Sequence, residues 1–361
     1  MSLFFELIQV ALGHRDKLSR TPTVVEWNNI LDEATRQAVA GICIAGVDNL
    51  PKEQMPPKML LLEWIGLSER IRQQNSLLDK QTSQIWNQLK EDGFEAAILK
   101  GQGVAHEYGR LSDLRQSGDI DIWLKGGYQK ICDYVQRTHP TTDVAYHRFH
   151  YDYFDDTEVE LHHRPTLMRN LFDDRKLARW YNSFEAGSFV YLKDKGFAVP
   201  SLEFNRIFIL THIYRHFLFE GIGLRQVMDY YFVLKNCPAE IKEIAEIGKS
   251  LKSFRMLRFA EAMMWILHTQ LGLEEKYLIC GMNEKEGRFV LSEIEQTGNF
   301  GYTDSRYTYK YFFKLRRQIV HGAHLLLHYP SEVIWTPIWL VYHMIWKWGK
   351  KREIRNNKVE I

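Results

Sequence analysis

The sequence predicts an α+β protein in which a small mixed-sheet core is flanked by N-terminal and C-terminal helical regions. Three observations carry this expectation. Before Asp92-Gly93 the apolar residues recur at three- and four-residue spacing. From Phe94 the pattern shortens to strand-length runs separated by glycine turns. After Pro200 the helical period returns. The expected divisions are therefore 1–93, 94–199 and 200–361.

In the first region, "VVEWNNILDEATRQAVAGICIAGV" reads as helix, and so does the segment from Lys58 to its stop at Asp92-Gly93. In the core, "FEAAILK" has the length of a strand, and "GQGVAHEYG" turns and opens a short helix. "DIDIWL" alternates acid and apolar as a half-buried strand does, and "GGYQKICDYVQRTH" reads as helix. "DVAYHRFHYDYF" and "EVELHH" read as a hairpin turning at Asp155-Asp156-Thr157, with "SFVYL" as a further strand. In the third region, Ile207, Leu210, Tyr214 and Phe217 form one stripe of a helix. A second helix lies between Gly223 and Pro238.

The 361 residues carry 45% hydrophobic and 25% charged side chains, the balance of a folded globular chain. A net charge of +2 gives no global footprint for nucleic acid. Cys43, Cys132, Cys237 and Cys280 lie far apart, which points away from a disulfide framework or a zinc site and toward a cytoplasmic location. The N-terminal residues lack the layout of a signal peptide, and no apolar run reaches spanning length. The stretch Val333–Trp348 is expected as a core-packed last helix, with Trp335, Trp339 and Trp346 in the core. A solvated basic tail of Lys347, Lys350, Lys351, Arg352, Arg355 and Lys358 follows it. Peripheral membrane contact by this segment is the alternative.

The chemistry concentrates in "AAILKGQGVAHEYGRLSDLRQSGDIDIW". Side chains two apart on a strand share a face, so Asp119 and Asp121 project together while Ile120 and Ile122 bury. Two adjacent carboxylates repel, and a hard divalent cation such as Mg²⁺ relieves the repulsion while also taking substrate phosphates. Upstream, Lys100, Gly101 and Gly103 sit where a strand gives way to a helix, and glycines there admit a close phosphate. Downstream, Glu158, Glu160 and His162 share one strand face, and either glutamate supplies the third acid of a metal site.

Other residues carry two readings. His212, His216 and Glu220 are four apart on a helix, which suits a zinc pair, a polar wall of a substrate cleft, or a structural hydrogen-bonding face. Arg225 and Asp229 suit the same cleft or an i,i+4 ion pair. His147, His150 and His162 are candidates for substrate contact, whereas His163 reads as strand packing.

The order of glycine turn, Asp-x-Asp and later strand acid resembles the DNA polymerase β-type nucleotidyltransferase superfamily. More narrowly, "LKGQGVAHEYGR", the arginine before "GDIDIWL", and "VELHH" resemble the bacterial uncharacterised nucleotidyltransferase family. Position by position, Lys100-Gly101 match its Leu-Lys-Gly turn and Arg115 its arginine. Asp119 and Asp121 match its metal pair, and Glu160-Leu161-His162 its acid-Leu-His element.

The resemblance implies that Asp119, Asp121 and Glu160 hold two Mg²⁺ ions, with Mn²⁺ as an alternative. It implies that Lys100, Gly101, Gly103 and Arg115 bind the phosphates of an NTP. A nucleoside monophosphate then passes to an acceptor hydroxyl with release of pyrophosphate. The expected acceptor is a small molecule, sugar or protein, with nucleic acid disfavoured by charge. Two further readings stand beside it: a catalytically weak nucleotide-binding or regulatory module of the same fold, and a glycosyltransferase using the Asp-x-Asp.

Overall fold

The computed structural model describes residues 1–184, 188–301 and 322–357. Its first helices are α1 (Leu3–Leu12), α2 (Val24–Arg36), α3 (Ala40–Val47) and α4 (Lys58–Glu91). The core follows with β1 (Ala96–Ile98), α5 (Gln102–Ala105), a 3₁₀ segment (His106–Leu114), β2 (Ile120–Leu124) and α6 (Gly127–Thr138). Then come β3 (Arg148–His150), β4 (Val159–His162), α7 (Leu171–Asn182), β5 (Phe189–Leu192) and β6 (Phe197–Pro200). The remaining described helices are α8 (Leu202–Phe219), α9 (Leu224–Asn236), α10 (Ile241–Ser253), α11 (Leu257–Thr269), α12 (Glu284–Thr297) and α13 (Pro330–Asn357). The protein is thus α+β, a small mixed sheet in a largely helical chain.

Residues group into two units, each drawn from three segments. Met1–Ser76, Ala105–Ser117 and Ile209–Ile319 form the first, and Leu77–Val104, Gly118–Phe208 and Val320–Ile361 the second. In the first unit, the stretch expected as one helix from Val24 is two. Thr23 and Glu26 form a capping box that opens α2, and Ala38 at φ +55° separates it from α3. A non-glycine residue in the left-handed region ends a helix because the next residues cannot continue its hydrogen-bond ladder.

The same unit contains a buried charged node. Arg115 donates through Nε and Nη2 to the two carboxylate oxygens of Asp229, at 2.7 Å each. Tyr108 Oη donates to the same carboxylate at 2.6 Å, and Asn75 Nδ2 donates to the Arg115 carbonyl at 2.7 Å. Burial, reinforced by Asp229, pushes the Tyr108 phenol well above its ordinary value. The segment that leads into β2 is therefore anchored to α9 by a bidentate pair.

The second unit holds the sheet, in spatial order β1-β2-β4-β3, with β2 and β4 parallel and the outer pairs antiparallel. Ile98, Ile120, Ile122, Phe149, Val159 and Leu161 form its apolar face. They pack with Leu78, Ile85 and Leu89 of α4 and with Ile131 and Val135 of α6. β2 alternates as its sequence suggests, yet all five residues are buried, so the strand is covered on both faces rather than half-exposed. On the polar face, Trp123 stacks on Phe204 at 5.1 Å. The expected pairing of the two middle-region strands is present, but both are shorter than expected and the turn is longer. Residues 151–158 connect them, and Gln81 of α4 holds this loop through Thr157 at 2.6 Å and Asp156 at 2.7 Å. "SFVYL" becomes β5, paired with β6 in a second, two-stranded sheet rather than with the main one.

α13 belongs to the second unit. Its Glu332 accepts from the backbone N–H groups of Arg169 and Asn170 at 2.7 and 3.1 Å, and Trp346 packs on Tyr128 and Tyr146. Trp339 and Ile354 are buried, while Ile334, Ile338, Val341, Ile345 and Trp348 are all more than half exposed. The helix is core-packed on one side only. Of the basic tail, the Arg355 side chain and Lys358 lie outside the described residues.

Two stability outcomes follow from these anchors. Asp229→Asn leaves the buried Arg115 guanidinium without its carboxylate and is expected to destabilise the protein by about 3–5 kcal/mol in urea unfolding. A loss below about 1 kcal/mol would contradict the node's structural role. Burial pushes the Glu332 carboxyl up to about 7, against the two N–H groups that favour its charge. Its folded value lies above its unfolded one, so its stabilising contribution is complete below about pH 4.5 and is lost as pH rises through about 7. Relative to Glu332→Gln, the wild type should lose about 3 kcal/mol across that window. A constant difference between the two unfolding profiles would refute the assignment.

Candidate active site

β1 ends at Ile98, and Lys100-Gly101 turn the chain into α5. Gly101 has φ +47°, in the left-handed region that favours glycine. Gly103 is required by contact: a Cβ there would sit 2.1 Å from the Ile98 carbonyl oxygen. The turn is therefore folded back tightly on the end of β1, and Gly103 has a packing reason to be glycine. The effect is to fix the backbone of Lys100 beside the start of β2.

Lys100 Nζ lies 3.2 Å from Asp119 Oδ2 and 2.7 Å from Asp121 Oδ2. The two aspartates are unequal, since the Asp119 side chain is 35% exposed and the Asp121 side chain 1%. The parallel register sets Asp121 directly beside Glu160, and Trp123 beside His162. His162 Nε2 is 2.8 Å from Asp121 Oδ1 and 3.3 Å from Glu160 Oε2. Across the antiparallel register Arg148 faces His162, and its guanidinium is ion-paired with the Glu160 carboxylate. Four strand positions thus bring Asp121, Glu160, His162 and Arg148 to one face, and the β1 turn adds Lys100.

Burial penalises the charges of Lys100, Asp121 and His162, and their pairs decide the outcome. Burial alone would raise the Asp121 carboxyl, but Lys100 and His162 outweigh it and hold Asp121 well below the usual carboxylate range. Burial likewise works against the Lys100 ammonium, yet Asp119 and Asp121 raise its pKa. His162 is lowered, first by burial and then by Lys100 and Arg148, with Asp121 opposing, so its ring is neutral near pH 7. Both near neighbours of Nε2 are carboxylate oxygens, and Nδ1 is buried without a hydrogen-bond partner. The tautomer assigned by this network carries its proton on Nε2 and donates to Asp121.

Asp121, Glu160 and His162 offer donor atoms that all lie within 4.8 Å of one another. The spacings of 2.8 and 3.3 Å match the roughly 3 Å between neighbouring ligands around an ion bound at about 2.1 Å. These residues fit one divalent cation. The imidazole makes Mn²⁺ at least as suitable as Mg²⁺. Of the expected trio, Asp121 and Glu160 lie in this group with His162 beside them, and Asp119 reaches it through Lys100 at the solvent edge.

Glu158, the rival third acid, is instead 3.5 Å from His150 Nδ1, and His150 Nε2 is 2.8 Å from Asp152. His147 meets His162 edge to face at 5.3 Å, and the remaining candidates belong to the first unit. Arg115 and Asp229 are paired in the node described above, and Arg225 Nη1 donates to the Gln116 carbonyl at 2.9 Å. His212 and His216 meet edge to face at 4.3 Å, and His216 Nδ1 is 2.6 Å from Glu220. Among the described residues, the group able to offer three metal ligands is Asp121, Glu160 and His162. Arg148 is the side chain of this cluster that sequence reading missed. The two-residue spacing of Glu160 and His162 does signal that they share a face, which made His162 recoverable as a member of the cluster.

No curated protein matches the chain. Among solved structures, an antigenic nucleotidyltransferase-like protein from Paracoccidioides brasiliensis is similar, with 13% identity and a TM-score of 0.33. The similarity covers 55% of this chain and 94% of that one. The family described as uncharacterised nucleotidyltransferase matches residues 23–272, which include the Lys100 turn, the Asp-x-Asp strand, Glu160 and His162. The match runs through more than half of the sequence, and the protein belongs to the uncharacterised nucleotidyltransferase family.

Proposed function

We propose that the protein is a divalent-metal-dependent nucleotidyltransferase that moves a nucleoside monophosphate from an NTP to an acceptor hydroxyl. The observation that carries this reading is the convergence of Asp121, Glu160 and His162 on one sheet face, with Lys100 bridging Asp119 and Asp121. Asp119, Asp121, Glu160 and His162 are the residues that would hold Mg²⁺ or Mn²⁺. Such an ion, when bound, neutralises phosphate charge and acidifies an acceptor hydroxyl.

The side chains have distinct work. Lys100 is poised at the open Asp119 edge, where its ammonium transfers from the carboxylates to the phosphates of an entering NTP. The turn at Gly101 keeps that ammonium beside the strand start. Before an ion binds, His162 orients Asp121 by donating to Oδ1, whereas in the ion-bound state Nε2 would give up that proton to serve as a ligand. Arg148 fixes the Glu160 carboxylate. In the reaction, the acceptor oxygen bonds to the α-phosphorus and the bond to the bridging β-phosphate oxygen breaks. Pyrophosphate leaves with that bond's electron pair, and the hydroxyl proton passes to a carboxylate of the cluster or to water. The net charge of +2 favours a small-molecule, sugar or protein acceptor over nucleic acid.

A second reading has its own observation. Lys100 and Arg148 already neutralise the carboxylates, an arrangement that also suits a nucleotide-binding or regulatory module with weak catalysis. A glycosyltransferase reading accounts for neither Lys100 nor the acid on β4.

Labelled transfer separates these. With α-labelled NTPs, Mn²⁺ or Mg²⁺ and cell extract, wild type should label an acceptor. Asp121→Asn should reduce labelling by at least about a hundredfold, and chelation should abolish it. Metal-dependent NTP binding without any transfer would favour the regulatory module, and neither binding nor transfer would sink both. Lys100→Met removes the internal cation that competes for the carboxylates. Its Mn²⁺ affinity, followed by titration calorimetry, should therefore rise about tenfold, the worth of one charge-assisted hydrogen bond. NTP binding should weaken in the same variant, and a parallel loss of both affinities would contradict the role given to Lys100.

A further inference from the structure

The outward face of α13 inverts the usual burial of a surface helix. Ile334, Ile338, Val341, Ile345 and Trp348 recur every three or four residues and are all more than half exposed. Pro337 and Met344 widen the same side. The polar Glu332 and Thr336 are buried instead. An apolar stripe of this extent on a helix marks a surface that is covered in use.

The occupant is set by charge. From Val333 to Arg352 the sequence has four basic residues, Lys347, Lys350, Lys351 and Arg352, and no acidic one. Lys347 pairs with Asp143 at 3.4 Å and Lys350 with the following Glu353 at 2.8 Å, so Lys351 and Arg352 carry the net positive charge of this end. They cluster where the apolar stripe ends, at Trp348, with the Arg352 guanidinium 5.8 Å from that indole centroid. Pairing with a second copy supplies little complement: Glu353 is already paired with Lys350, and parallel helices would bring two net-basic ends together. Antiparallel ones would set each basic end against a helix start whose Glu332 is buried. The seam also spans only about two heptads, short of the three or four that a coiled coil needs. A tryptophan and a basic cluster bordering a flat apolar strip instead match the boundary between acyl chains and anionic headgroups. The strip is about 21 Å long, shorter than a bilayer core of about 30 Å, and no described helix is long and apolar enough to cross a membrane.

We propose that α13 docks the protein, lying in plane, on membranes that contain anionic lipid. The experiment is vesicle co-sedimentation of the full chain with phosphatidylcholine vesicles, with and without phosphatidylglycerol. Two double variants accompany it, Ile338→Ser/Ile345→Ser and Lys351→Ser/Arg352→Ser, and circular dichroism verifies that both are folded. Wild type should sediment with the anionic vesicles, more weakly as salt rises. Each variant should lose at least about tenfold in apparent affinity. Absence of binding to anionic vesicles overturns the proposal. So does a solution dimer that Ile338→Ser/Ile345→Ser converts to monomer while vesicle binding is unchanged, since the stripe is then an interface between copies.

Discussion

The parallel pairing of β2 with β4 places the carboxylate of Asp121 directly beside that of Glu160 on a buried face. Adjacent anions in a poorly solvated environment repel strongly, and the surrounding groups are arranged in answer. Lys100 arrives from the β1 turn, Arg148 from β3, and His162 from two residues along β4. The close approach at Gly103 and the left-handed Gly101 both help deliver the lysine. Much of the second unit's local geometry can thus be traced to one pair of neighbouring acids.

Such a cluster is expensive to fold without ions, because each buried charge loses its hydration and recovers it only through well-formed pairs. That expense is tolerable where the strands are held by independent packing. The apolar face of the sheet is sealed by α4 and α6, and Gln81 ties down the loop between β3 and β4. In the first unit, the Arg115–Asp229 pair performs a similar service for the segment that precedes β2. The two polar clusters are distinct. The first has a solvent-exposed edge at Asp119, whereas the second is closed and fully paired.

Much of this was legible in the sequence. Period-two spacing put Asp119 and Asp121, and Glu160 and His162, on shared faces, and the turn glycines marked the end of β1. What sequence lacks is register. Nothing in one chain says that β2 pairs in parallel with β4, so neither the contact of Asp121 with His162 nor the role of Arg148 could be read. The break at Ala38 was hidden because its positive φ has no glycine to announce it. The last helix was misjudged in a different way. Its aromatics do pack inward at Trp339 and Trp346, but hydrophobic content alone does not tell which aliphatic side chains face out.

The unequal exposure of Asp119 and Asp121 gives the site a direction. One carboxylate stands at the water boundary and the other is sealed beneath it, bridged by a single ammonium. A cation approaching along this edge would meet the outer carboxylate and the Lys100 ammonium before the inner carboxylate. The pair is in effect a threshold and a chamber, and the lysine is the bolt between them.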